Sequence, residues 1–280
     1  MLRQRVITAL ILLFALLFAV FFLPQIAWLL LVGLLLVVAA AEWCGLIGLR
    51  GIGAVVYCAV AAGLFFAACM VGGLAGSGLP ASPQALIVLF GIGAAFWLLA
   101  VPLWLSGKWS LRAGGAGAIA GCLVVLPAGL ALVHLRAVSP WLLMAAMAVV
   151  WVADIAAYFV GRAIGRRKLA PGISPGKSWE GALGAVAFVI VYGFVVAWGW
   201  PALGLPRASD PSSILGFAAA LVLITAVSIV GDLFESLAKR QAGVKDSGNI
   251  LPGHGGVLDR IDSLTSTLPL VSLAWLLSNS

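Results

Sequence analysis

The sequence predicts an all-α polytopic membrane protein of about nine transmembrane helices, with its N-terminus in the cytoplasm and a polar cavity opening to that side. Three observations support this class. The 280 residues are 64% hydrophobic and only 9% charged, and the mean hydropathy is +1.19, far from the balance of a soluble domain. The apolar runs last about twenty residues without period-2 alternation, the length of a helix crossing roughly 30 Å of hydrocarbon and not of a ten-residue barrel strand. The basic residues, finally, are distributed very unevenly over the loops between those runs.

The runs lie near 6–23, 27–47, 52–73, 85–105, 114–134, 140–161, 181–200, 214–234 and 264–278, the last one short. The first follows Arg3 and Arg5, as a signal peptide would, but it is long and no Ala-x-Ala site follows at LPQIAW, so it is expected to stay as a span. With the N-terminus inside and nine spans alternating, fourteen of the sixteen basic residues are cytoplasmic, and only Arg136 and Arg207 are outside. The positive-inside rule expects such a division, and miscounting one central span would blur it. The same division accounts for the net charge of +7 without a nucleic-acid partner. Cys44, Cys58, Cys69 and Cys122 lie in or beside apolar runs, without histidine neighbours, and read as packing residues.

Composition divides the chain into two regions. Residues 1–135 contain one acid, Glu42, and read as a transmembrane scaffold. Glu42 lies near the cytoplasmic end of its span, within reach of interfacial water or Arg50, and is expected to be structural; His134, beside Arg136, is expected at the outer interface. Residues 136–280 hold the other acids and two cytoplasmic loops, 162–180 and 239–262, and read as the catalytic region.

Two stretches of the second region suggest chemistry. In GDLFESLAKR, helical spacing puts Asp232, Glu235, Ser236 and Lys239 on one face with apolar residues opposite, a polar stripe entering the membrane. In KDSGNILPGHGGVLDRID, five formal charges, His254 and four glycines occupy eighteen positions. Asp259 and Asp262, one helical turn apart, can reach one metal cluster, and the turn around Gly255 and Gly256 offers backbone amides suited to phosphate oxygens. Carboxylates, cations and a glycine turn at a membrane surface point to phosphoryl or nucleotidyl transfer. The chain has no Walker-type G-x-x-x-x-G-K-[ST].

The run SLAKRQAGVKDSGNILPGHGGVLDRID resembles the signature of the phosphatidate cytidylyltransferases, or CDP-diacylglycerol synthases. Ser236, Lys239, Arg240, Lys245, Asp246, Pro252, His254, Gly255, Gly256, Asp259, Arg260 and Asp262 all stand at the pattern's positions. The likeness extends through GDLFES, through SPGKSWEG (Ser174, Lys177, Ser178, Trp179, Glu180) and through DIAAYFVGR from Asp154. Many members read Ser-Pro-Lys-Lys-Thr where Gly176 and Ser178 stand here, which leaves Lys177 as the only lysine of that motif.

The resemblance implies transfer of a cytidylyl group from CTP to phosphatidate, with Mg²⁺ required and K⁺ as a candidate second ion. It implies Asp232 and Asp259 as metal ligands, with Asp262 beside them. Lys239, Arg240, Lys245, Asp246, His254 and Arg260 would be catalytic, and Ser174, Lys177, Ser178, Trp179, Glu180, Ser236, Gly255 and Gly256 substrate-binding. It also implies a homodimer in a bacterial cytoplasmic membrane. Alternatives are a CDP-alcohol phosphotransferase, whose Asp-Gly-x-x-Ala-Arg pattern is not matched at Asp246; a CTP-dependent lipid kinase; and a transporter, against which the one-sided concentration of polar groups argues.

Overall fold

The computed structural model of the chain describes residues 2–76, 82–112, 114–200, 211–251, 253 and 255–279. Its helices fall on all nine predicted apolar runs: α1 (Leu2–Phe22), α2 (Gln25–Ile47), α3 (Ile52–Val71), α4 (Pro83–Ala95) continuing through a π-helical turn (Phe96–Ala100) into α5 (Val101–Gly107), α6 (Gly115–Val138), α7 (Pro140–Ile164), α8 (Trp179–Gly199), α9 (Pro211–Ala242) and α10 (Leu258–Ser278). Among the described residues, eight of these rods are long and apolar enough to cross a membrane, and a shorter apolar helix, Ile7–Phe22, precedes them. Large apolar side chains such as Phe14, Phe22, Ile52, Leu99 and Leu215 point outward, as suits a multi-pass membrane protein whose surroundings are hydrocarbon.

Three features depart from the sequence-based boundaries. The last helix starts at Leu258, six residues ahead of its apolar run, and Asp259 and Asp262 lie on its first turns, as their one-turn spacing expects. The loop at 162–180 contains an antiparallel hairpin, β1 (Lys168–Ala170) and β2 (Ser174–Ser178), pairing Lys168 with Ser178 and Ala170 with Ser174. The fourth rod widens into its π turn just before Pro102, whose ring nitrogen has no hydrogen to give the preceding turn.

Small residues let the rods approach closely, as expected where lipid gives helices no hydrophobic reason to associate. A Cβ on Gly181 of α8 would stand 2.8 Å from the Ala157 carbonyl of α7. One on Gly231 of α9 would stand 2.9 Å from the Asp262 carbonyl of α10. One on Gly93 of α4 would meet Pro127 of α6 at 3.0 Å and Pro269 of α10 at 3.7 Å.

The main core runs from Ala19 on α1 to Leu276 on α10 without a break at residue 135. That position therefore marks a change in composition, and both regions share one core. A smaller cluster of Val149, Ala153, Ala185, Val189 and Leu221 joins α7, α8 and α9. A third, Ile173 with Leu233 and Leu237, fixes the hairpin onto α9.

His134, expected at the outer interface, is 1% exposed and packs against Phe90 inside the helix bundle. Arg136 is also buried, donating to the Val20 carbonyl at 2.8 Å, to Gln25 Oε1 at 2.9 Å and to the Leu23 carbonyl. The Arg136 guanidinium lies over the Trp28 ring. Cation and carbonyl dipoles together hold the end of α1 against α6.

Candidate active site

The hairpin folds back over the ends of α7, α8 and α9 and roofs a cavity of about 530 Å³. Its walls are mixed. Ala153, Ala157, Ala182 and Ile229 give apolar surface between the helices, and Asp154, Arg162, Lys168, Lys177 and Asp232 place charge among them. The hairpin's placement follows from its ends. Ser178 Oγ accepts the Gly181 amide at 3.2 Å and caps α8, and the Glu180 carboxylate accepts the Arg166 and Arg167 amides at 3.0 to 3.2 Å. Carboxylate and hydroxyl thus satisfy amides that the helix start and the loop leave unpaired.

Lys177, on β2, places its ammonium 2.6 Å from Asp232 Oδ2, and Ser236, one turn along α9, donates to Asp232 Oδ1 at 3.2 Å. Asp154 of α7 and Asp262 of α10 are close enough to Asp232 to repel it. Three helices therefore direct acids toward one region. A second ion-pair group lies next to it: Lys239 pairs with Glu235 on its own helix and with Asp259 Oδ1 of α10 at 2.6 Å. The other Asp259 oxygen faces the Ser247 and Gly256 amides, each at 2.8 Å, and the Ser247 hydroxyl at 3.0 Å.

Glu42 is no interfacial group. It is 7% exposed and accepts the Val257 amide at 2.9 Å, the Leu258 amide at 2.8 Å and the Ser247 hydroxyl at 3.0 Å. The glycine turn therefore closes on carboxylates of the protein itself, and not around open amides. A Cβ on Gly256 would stand 2.6 Å from both Glu42 oxygens, and one on Gly248 would stand 2.6 Å from Oε1. Gly255, at φ 81°, lies where a Cβ would come 2.6 Å from Asp259 Oδ2. These glycines admit buried carboxylates, and the Gly256 amide, expected to be free for phosphate, is given to Asp259.

The remaining expected residues are spread more widely. Arg240 is exposed and donates to the Ile173 carbonyl at 3.4 Å, tying α9 to the hairpin. Lys245, Asp246, Trp179 and Arg260 are exposed, and Ser174 is half-buried on β2. His254 lies outside the described residues. Sequence reasoning missed Glu42 and Ser247 as parts of the site and gave Asp154 no role of its own. For Glu42 the available signal was an acid inside an otherwise uncharged apolar region.

The donor set fits a hard divalent cation. Asp232, Asp259 and Asp262 offer only oxygen, and two of them already hold an ammonium at 2.6 Å, so their faces are presented to positive charge. Among the described residues no three His, Cys, Asp or Glu side chains enclose an ion.

A cavity lined by cations, carboxylates and apolar side chains, inside a helical membrane protein, suits an enzyme acting on an amphiphilic phosphate compound. Comparison with known proteins is more specific. Residues 3–277 match the model of the cytidylyltransferase family, and the chain belongs to that family. It is 43% identical over 284 residues to a phosphatidate cytidylyltransferase of Pseudomonas aeruginosa, covering 98% of this chain and 97% of that one. Over 132 residues it is 48% identical to the phosphatidate cytidylyltransferase of Haemophilus influenzae, covering 47% of this chain and 44% of that one. Over 134 residues it is 48% identical to that of Brucella suis, covering 45% and 43%.

Proposed function

We propose that this protein transfers a cytidylyl group from CTP to phosphatidate, giving CDP-diacylglycerol and pyrophosphate. The structural observation that carries this reading is the cavity between α7, α8 and α9 in which Lys177, Asp232 and further charges stand beside apolar wall residues. Such a site can hold a phosphate headgroup in a polar environment while its acyl chains stay among apolar residues. The near full-length similarity to a phosphatidate cytidylyltransferase supports the same substrates.

In this reaction a phosphate oxygen of phosphatidate attacks the α-phosphorus of CTP. The bond from that phosphorus to the bridging oxygen breaks, and pyrophosphate leaves with the electron pair. The nucleophile is already ionised near neutral pH, so no strong general base is needed, and positioning and charge neutralisation dominate. Lys177, Lys168 and Arg162 line the cavity and neutralise phosphate charge. Lys239 holds Asp259 in place, and Ser236 holds Asp232. Asp232 and Asp259, with Asp262 nearby, are the oxygen ligands from which Mg²⁺ would take one or two, and when bound it would withdraw charge from the triphosphate. The reading also includes a cytoplasmic orientation for the site, a bacterial cytoplasmic membrane and a homodimer, the last supported only by the resemblance.

The test is purified protein with phosphatidate, Mg²⁺ and CTP labelled at either the α- or the γ-phosphate. Label from the α position is expected in the lipid product. Label from the γ position alone would identify a lipid kinase instead.

A further inference from the structure

We infer that Glu42, carried on α2 in the N-terminal half, is a positioning residue for Asp259, acting through the Ser247 hydroxyl and the first amides of α10. This rests on the reading of Asp259 as a working carboxylate of the site. Four observations converge on it. Glu42 is the one acid in the first 150 residues, and it is buried. A lone buried carboxylate costs several kcal/mol unless hydrogen bonds compensate it. Its compensation comes from one place: the Val257 and Leu258 amides, at 2.9 and 2.8 Å, and Ser247. Those amides belong to the start of α10, where the helix dipole favours negative charge.

Ser247 joins the two carboxylates, with its oxygen 3.0 Å from Glu42 Oε2 and 3.0 Å from Asp259 Oδ2. A hydroxyl carries one proton, so it serves one acid at a time and fixes their separation. The Ser247 amide, by contrast, is given to Asp259 alone, at 2.8 Å. Gly248 and Gly256 provide the space, since a Cβ on either would stand 2.6 Å from a Glu42 oxygen. Glu42 thus holds the turn and the helix start at once, and Asp259 stands between them. The charged stretch is organised by a side chain about two hundred residues earlier in the chain.

The variant Glu42→Gln is nearly isosteric but offers one acceptor oxygen where three donors converge, and turns an NH₂ toward one of them. Relaxing a group that orients a ligand typically costs about 10- to 100-fold in activity or metal affinity. The full-length protein in detergent is therefore expected to lose about tenfold or more in kcat, with the Mg²⁺ activation midpoint raised and the KM for phosphatidate little changed. Hydrogen exchange should quicken at 255–260 while the rest of α10 stays protected. Ser247→Ala should move the same quantities in the same direction. The double variant should be no worse than Glu42→Gln alone, because both break one chain of contacts.

Normal kcat, Mg²⁺ midpoint and exchange in folded Glu42→Gln would overturn the inference. So would losses that simply multiply in the double variant, since the two residues would then act separately. If Glu42→Gln does not survive size exclusion, Ser247→Ala decides, and full activity with an unchanged Mg²⁺ midpoint there refutes the inference. Wild type and Asp259→Asn, run alongside, keep the two levels apart. An active wild type with inactive Asp259→Asn and normal Glu42→Gln removes this inference alone. Failure of the wild type to make CDP-diacylglycerol removes the reading beneath it.

Discussion

Lys177 on the hairpin and Asp232 on α9 meet as ammonium and carboxylate 2.6 Å apart at the edge of the cavity, with side chains 23% and 29% exposed. A pair partly exposed at a cavity edge is screened by solvent and contributes only about 1 kcal/mol to stability. Lys177→Met is therefore expected to melt close to wild type. A cation facing transferred phosphate contributes far more, so kcat/KM for CTP should fall on the order of 100-fold. Thermal melting and CTP titration on one preparation check both halves, and an equal modest change in each would make Lys177 a structural contact.

The two metal-binding candidates predict a non-additive series. Asp232→Asn and Asp259→Asn should each nearly abolish cytidylyl transfer while the protein stays monodisperse in detergent. The double variant should be little worse than either, as expected for residues that act as a unit. Activity measured against Mg²⁺ concentration for the four proteins checks this. Two partial and independent losses would separate the acids into different sites.

Gly231 tests the α9–α10 contact. A Cβ there would stand 2.9 Å from the Asp262 carbonyl and meet Ser266, and overpacking of this kind costs about 1 to 3 kcal/mol. Gly231→Ala should lower the melting temperature and reduce activity by displacing the acids on both helices. Gly216→Ala, on the same helix with nothing within 4 Å of its Cβ, should do neither. Equal melting of the two variants would show that the contact is loose.

The proposed orientation puts 162–180 and 239–262 in the cytoplasm. Single cysteines at the exposed positions Arg167 and Lys245, in a chain without Cys44, Cys58, Cys69 and Cys122, should resist an impermeant thiol reagent in intact cells. They should label after the membrane is opened. Labelling of either in intact cells would overturn the orientation.

The helices were legible because twenty-residue apolar runs leave the backbone no other way to satisfy its hydrogen bonds in lipid. The acids of α9 were legible as a stripe for a similar reason: helical spacing alone places Asp232 and Ser236 on one face, and they do hydrogen-bond. Local sequence did not reveal the long-range partners. Nothing near Glu42 indicates that the amides of Val257 and Leu258 will reach it, since that meeting depends on how α2 and α10 pack. The hairpin was hidden because its strands are three and five residues long, the longer one containing Gly and Pro, too short for any alternation to show. The glycines of the turn were read as openings for a ligand because sequence shows missing side chains and not what fills their space.

The turn between α9 and α10 has a consequence for how the nucleotide is recognised. Its amides at Ser247, Gly256, Val257 and Leu258 are already committed to Asp259 and Glu42, so these four backbone dipoles have no hydrogen left to offer a triphosphate. Long-range attraction then rests more on lysine and arginine charges, whose reach is limited by dissolved ions to a Debye length of about 10 Å at 0.1 M. Ionic strength thus becomes a control on substrate capture: CTP saturation should weaken as inert salt is raised, while turnover at saturation holds nearly constant.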